Sequence, residues 1–299
     1  MKRLLTAVVL IPLVLLLVFR SPVELLAVIV AAVAILCARE FLDIVRAYNV
    51  APMRLPTYIS IALLFALVAW LGSLKPTMGT GTVVLGFTAA ASLAAFVFLA
   101  IAMRRAELAT AYPAAAAAVF ALVYVGMPLA LLVQVRQFTP GVVLVLYLLI
   151  VVWSGDTFAY YVGRSIGRHN MAPRVSPKKT WEGAVASVVG SVLLGTYVLA
   201  HSYQISTWLW NHHLLGERQY GWFTTQPLAP IGELIVLSAV LNIAAQLGDL
   251  VESAIKRGAN VKDSGAILPG HGGMLDRIDA LLFAAPVLWV YAAWRVLNY

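Results

Sequence analysis

Residues 140–162 read PGVVLVLYLLIVVWSGDTFAYYV, an apolar run with one charged side chain, Asp156, near its end. A helix rises about 1.5 Å per residue, so a run of this length crosses the ~30 Å hydrocarbon core of a bilayer. Similar runs recur along the whole chain. Hydropathy places nine spans, at about 4–19, 22–38, 57–73, 82–103, 114–134, 140–162, 181–201, 228–250 and 279–297. The composition agrees: 62% of residues are hydrophobic, 11% are charged and mean hydropathy is +0.90. Soluble domains are closer to half apolar and a quarter charged. The expected fold class is therefore all-α, a polytopic integral membrane protein of about nine transmembrane helices.

The distribution of Lys and Arg orients these spans. With the N-terminus cytoplasmic, the inner segments hold Lys2 and Arg3; Arg39, Arg46 and Arg54; Arg104 and Arg105; Arg164, Arg168, Arg174, Lys178 and Lys179; and Lys256, Arg257, Lys262 and Arg277. The outer segments hold about one each, Arg20, Lys75, Arg136, Arg218 and Arg295, and the C-terminus is expected outside. Leu4–Phe19 follows two basic residues like a signal peptide, but Arg20-Ser21-Pro22 is a poor cleavage site, so a retained first span is expected. The net charge of +8 then reports topology and contact with anionic lipid, not nucleic acid. Cys37, the single cysteine, excludes an intramolecular disulfide and reads as helix packing. The outer segment 202–227 carries His212 and His213, read as polar surface, and the alanines 114–118 read as close helix packing. No repeat suggests an inverted-repeat transporter.

Charge separates two regions, 1–138 with spans one to five and 139–299 with spans six to nine. In the first, charged residues read as topology signals. In the second, acidic residues stand at span ends, Asp156 closing the sixth and Asp249 the eighth. A carboxylate near membrane depth is costly unless paired or facing water, which makes it a functional candidate. The following loop holds Arg164 and Arg168, then Ser176-Pro177-Lys178-Lys179-Thr180-Trp181-Glu182-Gly183. Ser176 as N-cap with Pro177 as first helical residue predicts one helix start, and Thr180 as N-cap a second, one turn later. Either way Lys178 and Lys179 stand at a helix N-terminus, where an anion such as phosphate is favoured.

The last inner segment is the most informative. If span eight continues as a helix, Asp249, Glu252, Ser253 and Lys256 share one face, and Asp276 and Asp279 share another at the start of span nine. Carboxylates with a serine hydroxyl are hard oxygen ligands suited to Mg²⁺. Gly270, Gly272 and Gly273 flank His271 and permit close approach of a ligand. Metal carboxylates beside lysines and arginines on one membrane face fit a polyphosphate substrate. Neither a P-loop, a kinase signature set nor GxSxG is present.

The stretch Ser253-x-Ile255-Lys256-Arg257-x4-Lys262-Asp263-x-Gly265-x2-Leu268-Pro269-x-His271-Gly272-Gly273-Met274-x-Asp276-Arg277-Ile278-Asp279 resembles the signature of the phosphatidate cytidylyltransferases, the CDP-diacylglycerol synthases. Ser176–Gly183 and the segment around Asp156 resemble the same family, so the motif-bearing likeness covers about residues 150–280. The resemblance implies that CTP and phosphatidate become CDP-diacylglycerol and pyrophosphate at the cytoplasmic face of a bacterial-type inner membrane. It implies Mg²⁺ or another divalent cation, with a monovalent cation as a further candidate. Asp249 and Asp276 would be the main metal ligands, with Asp279 and Ser253 in support. Lys178, Lys179 and His271 join the two aspartates as the expected catalytic set. Arg164, Ser176, Thr180, Ser253, Lys256, Arg257, Lys262, Gly272, Gly273 and Arg277 are the expected substrate contacts, and Asp156 and Asp263 organise the site. Membrane enzymes with sites at span ends often associate, so a homodimer is among the expectations. The rival readings are a CTP-dependent lipid kinase, which would release CDP in place of pyrophosphate, and a transporter. Against the transporter, the charges gather at one face and not at the midplane.

Overall fold

The computed structural model describes residues 2–73, 79–138, 141–214, 229–267 and 272–298. Long helices dominate: α1 (Lys2–Arg20), α2 (Val23–Arg46), α3 (Arg54–Ser73), α4 (Gly79–Ala102), α5 (Ala111–Ala121), α6 (Met127–Gln137), α7 (Gly141–Ile166), α8 (Trp181–Ala200), α9 (Ser202–Asn211), α10 (Ile231–Gly258) and α11 (Leu275–Asn298). A single π-helical turn, Leu122–Gly126, joins α5 to α6, so the pair runs as one rod. Eight helical segments among the described residues are long and apolar enough to cross a membrane. The protein is an all-α polytopic membrane protein.

Three helices run further than hydropathy predicts. α2 continues to Arg46, α10 to Gly258, and α11 begins at Leu275. Each extension is the polar end of an apolar span, where hydropathy falls but backbone hydrogen bonding continues. These extensions carry Glu40, Glu252, Lys256 and Asp276 on helices rather than loops. In the predicted outer segment, α9 adds a short helix, and residues 215–228 lie outside the described residues.

The large apolar side chains that remain exposed, such as Leu85, Phe96, Leu193 and Val236, are suited to lipid contact. Lipid tails are as apolar as these side chains, so helix association rests on close packing and interhelical hydrogen bonds. Two buried clusters result. The first joins α2 to α6, where Ala114, Ala115, Ala118 and Ala121 are all buried, as the alanine run predicts, and Cys37 is buried with them. The second joins α7, α8, α10 and α11. α11 is the seam, giving Leu275 and Leu282 to the first cluster and Ala280, Ala284 and Leu288 to the second. Arg136, read from the sequence as an outer-loop charge, is instead buried in the last turn of α6, where its Nε donates to Val18 O at 2.9 Å.

Polar side chains fix the register of the second cluster. Asn242 Nδ2 of α10 donates to Ser187 Oγ (3.0 Å) and Ser191 Oγ (2.8 Å) of α8, and Ser191 Oγ donates to Val151 O of α7 at 2.6 Å. Gln246 Nε2 extends the chain to Asn242 Oδ1 (2.6 Å) and Ala184 O (3.2 Å). Such bonds contribute about 0.6 kcal/mol each in membranes. Their larger effect is to bring the ends of α7, α8 and α10, which carry Asp156, Thr180 and Asp249, to one place.

Candidate active site

Between α7 and α8 the chain forms an antiparallel ribbon, β1 (Asn170–Ala172) with β2 (Ser176–Thr180), pairing Asn170 with Thr180 and Ala172 with Ser176. This corrects one of the two predicted helix starts. Ser176 and Pro177 are not a cap and first turn; they are extended, and the helix begins at Trp181. Thr180 is the N-cap, its Oγ1 accepting from Gly183 N at 3.2 Å. The ribbon is tied back at its base, where Trp181 N donates to His169 O at 2.9 Å and His169 Nδ1 meets Glu182 Oε1 at 2.6 Å. At its turn, Arg257 Nε of α10 donates to Val175 O at 3.3 Å. Arg257, expected at the substrate, thus contacts the backbone of the ribbon, and its Nη1 also reaches Val261 O at 3.3 Å.

The ribbon closes one wall of a cleft of about 290 Å³. Asp156 and Tyr160 of α7, Lys178, Lys179 and Thr180 of the ribbon, and Gln246 and Asp249 of α10 line it. Lys179 Nζ lies 2.7 Å from Asp249 Oδ2, with side chains 27% and 37% exposed. Ser253 Oγ donates to the other oxygen of Asp249 at 3.3 Å. Lys178 is exposed, and Arg164, one turn beyond Tyr160, donates to the Tyr160 hydroxyl at 2.9 Å. Lys179 and Asp249 form an ion pair at a half-open cleft, with Lys178 beside it, that a phosphate can enter, since an ammonium trades one oxyanion for another at small cost.

Beyond Asp249 the charges go inward. Lys256 forms ion pairs with Glu252, one turn earlier on α10, and with Asp276 of α11; the three side chains are 10%, 2% and 7% exposed. Asp276 also accepts from Ser264 N (2.9 Å to Oδ2) and Gly273 N (2.8 Å). Its oxygens are thus engaged by a lysine and two backbone amides. Asp279, three residues on, accepts from Ala280 N at 2.8 Å. The charges of Asp156, Asp249 and Asp279 act on one another, and that of Arg277, which is exposed, acts on Asp156. Lys262 and Asp263 are exposed in the loop before α11. His271 lies outside the described residues, as do Leu268, Pro269 and Gly270.

The donor chemistry fits a hard divalent cation. Asp249, Asp279 and Asp156 supply carboxylate oxygens near the ends of apolar helices, the donor type such an ion takes. The arrangement is not a closed ligand shell, because among the described residues no three His, Cys, Asp or Glu side chains are grouped to hold an ion.

Glu40 and its partner Ser264 have no counterpart in the reading of the sequence. Glu40 of α2, 3% exposed, accepts from Met274 N (3.0 Å), Leu275 N (2.8 Å) and Ser264 Oγ (3.1 Å). The charges before residue 150 are therefore not all topology signals. The available clue was a carboxylate inside the run Ala38-Arg39-Glu40-Phe41-Leu42, costly in a membrane helix without partners. Gly272 adopts φ +79°, open to glycine, and a Cβ on Gly273 would meet Ser264 Oγ and the Glu40 carboxylate.

The model of the cytidylyltransferase family matches residues 1–294. A phosphatidate cytidylyltransferase of Bacillus subtilis is 37% identical over 174 residues, 58% of this chain and 56% of the relative. One of Haemophilus influenzae is 39% identical over 146 residues, 49% of this chain and 44% of the relative. One of Brucella abortus is 39% identical over 157 residues, 51% of this chain and 48% of the relative. The chain spans about half the length of these relatives.

Proposed function

The chain belongs to the cytidylyltransferase family, and from that premise we propose that it transfers the cytidylyl group of CTP to phosphatidate, giving CDP-diacylglycerol and pyrophosphate. The observation that carries this reading is the cleft in which Lys179 meets Asp249 with Lys178 and Asp156 beside them. The similarity to phosphatidate cytidylyltransferases of Bacillus subtilis and Haemophilus influenzae supports it. The charge bias of the loops supports a site on the cytoplasmic face of a bacterial-type inner membrane, where CTP is available.

In this mechanism a phosphate oxygen of phosphatidate attacks the α-phosphorus of CTP. The bond from that phosphorus to the α,β-bridging oxygen breaks, and pyrophosphate leaves. The attacking phosphate is already ionised at neutral pH, so no residue need remove a proton. Lys178 and Lys179 hold the triphosphate, Lys179 exchanging Asp249 for a phosphate oxygen as CTP enters. Arg164 and Arg277, both exposed, suit the headgroup phosphate. Bringing two polyanions together is the main barrier, and fixed cations in a site partly shielded from water lower it. Asp249 and Asp276 would be the main ligands for Mg²⁺ or a similar ion, with Asp279 and Ser253 in support. When bound, the ion neutralises phosphoryl charge. For Asp276 to serve, its ion pair with Lys256 must open.

The test is turnover by purified protein with phosphatidate, Mg²⁺ and CTP labelled at the α-phosphorus. Label is expected in the lipid fraction with stoichiometric pyrophosphate. Label in lipid only from γ-labelled CTP would replace this reading with a lipid kinase.

A further inference from the structure

We infer that Glu40 is a positioning residue of the transfer reaction, holding Ser264 and the first turn of α11 so that Asp276 keeps its place beside Lys256 of α10; this rests on the proposed cytidylyl transfer. Glu40 stands on α2, within the first buried cluster, and every partner it has lies more than 220 residues away in sequence. Helix N-termini leave backbone amides without partners, and a local Ser, Thr, Asp or Asn normally takes them. At α11 the carboxylate comes from another helix. Glu40 Oε1 takes Met274 N and Oε2 takes Leu275 N. Asp276 takes the neighbouring Gly273 N with one of its own oxygens.

Ser264 links the two carboxylates. Its hydroxyl donates to Glu40 at 3.1 Å and faces Asp276 N at 3.3 Å, while its backbone N–H donates to Asp276 Oδ2 at 2.9 Å. Ser264 and Gly273–Leu275 are therefore clamped between Glu40, from the first cluster, and Asp276. Gly265 and Gly273 give this clamp its room: an added Cβ on Gly265 would come 2.6 Å from Glu40 Oε1, and one on Gly273 would collide with the same carboxylate. A carboxylate accepts at both oxygens. An amide accepts at only one, so Glu40→Gln turns an N–H group toward Leu275 N or Met274 N, both of which are donors. Loss of either bond frees the first turn of α11 and shifts Asp276 against Lys256. Small misplacement of a group at a reaction centre costs about 10²-fold in rate.

The experiment compares the full chain with Glu40→Gln and Glu40→Asp in detergent, by steady-state kinetics and by amide hydrogen exchange. The expected result for Glu40→Gln is a fall in kcat of about 10²-fold with KM for CTP within about twofold. Faster exchange is expected in residues 262–277 and unchanged exchange in the ribbon 170–180. Glu40→Asp, which keeps both acceptors on a shorter arm, is expected to recover part of kcat. Wild-type kcat in Glu40→Gln would overturn the inference, and so would loss of kcat with faster exchange throughout the chain, which marks a purely structural role. Absence of cytidylyl transfer by the unaltered protein would refute the functional reading instead. Exchange in residues 262–277 would still report whether Glu40 holds the loop.

Discussion

Two groups of charges meet at the ends of α10 and α11, and they differ in what surrounds them. In the cleft, Lys179 and Asp249 are each about one-third exposed and form one ion pair. Behind it, Lys256, Glu252 and Asp276 are almost fully enclosed and hold one another, with Glu40 and the loop amides completing the set. The half-open pair has water as an alternative partner, so its charges can change partner when a polyanion arrives. The enclosed set has none. Taking a charge out of water costs several kcal/mol, which the ion pairs of Lys256 with Glu252 and Asp276 offset, so these residues fix a shape. Residue types of the same kind therefore serve two ends: exchangeable ones bind directly, and enclosed ones hold the binders in place, Asp276 joining the first group only if its pair with Lys256 opens.

Substitutions separate the two behaviours. The largest effect on stability is expected from Lys256→Ala, which strands two buried carboxylates and costs about 3–5 kcal/mol; thermal unfolding in detergent reads it. A melting temperature equal to that of the unaltered protein would erase the distinction. Asp249→Asn should lower turnover by about 10²–10³-fold and leave melting nearly unchanged, since its side chain is half open. Gly273→Ala places a methyl group against Ser264 and Glu40 and should destabilise by about 1–3 kcal/mol, with reduced kcat. Thr180→Ala removes the cap of α8 and should cost about 1 kcal/mol, with a modest rise in KM for CTP as the ribbon loosens.

The same contrast explains what the sequence disclosed. Membrane helices announce themselves by length and apolarity, so the second to ninth predicted spans each coincide with an apolar helix to within a few residues except at their polar ends. The shared helix face of Asp249, Glu252, Ser253 and Lys256 followed from spacing once α10 was taken to continue, and it does, to Gly258. The cap at Thr180 was legible because its partner is local. The ribbon was not, since Ser-Pro before two lysines has the chemistry of a helix start and only pairing with Asn170–Ala172 makes it a strand. Glu40 was out of reach for a related reason. Its hydrogen bonds join residues that no local pattern relates, so the sequence reveals only an unexplained carboxylate in an apolar helix. Asp276 shows the same limit: spacing put it on the face of Asp279, but not that Ser264, Gly273 and Lys256 would occupy its oxygens.

The most direct test of the central claim, that the half-open charges are the ones that receive the nucleotide, is equilibrium binding of labelled CTP to Lys178→Ala/Lys179→Ala against the unaltered protein at low and moderate salt. The account predicts binding weaker by roughly 10- to 100-fold, the loss expected for charged hydrogen bonds, and a shallower dependence on salt. Unchanged CTP affinity in the double variant would contradict it and would move the triphosphate away from the ribbon.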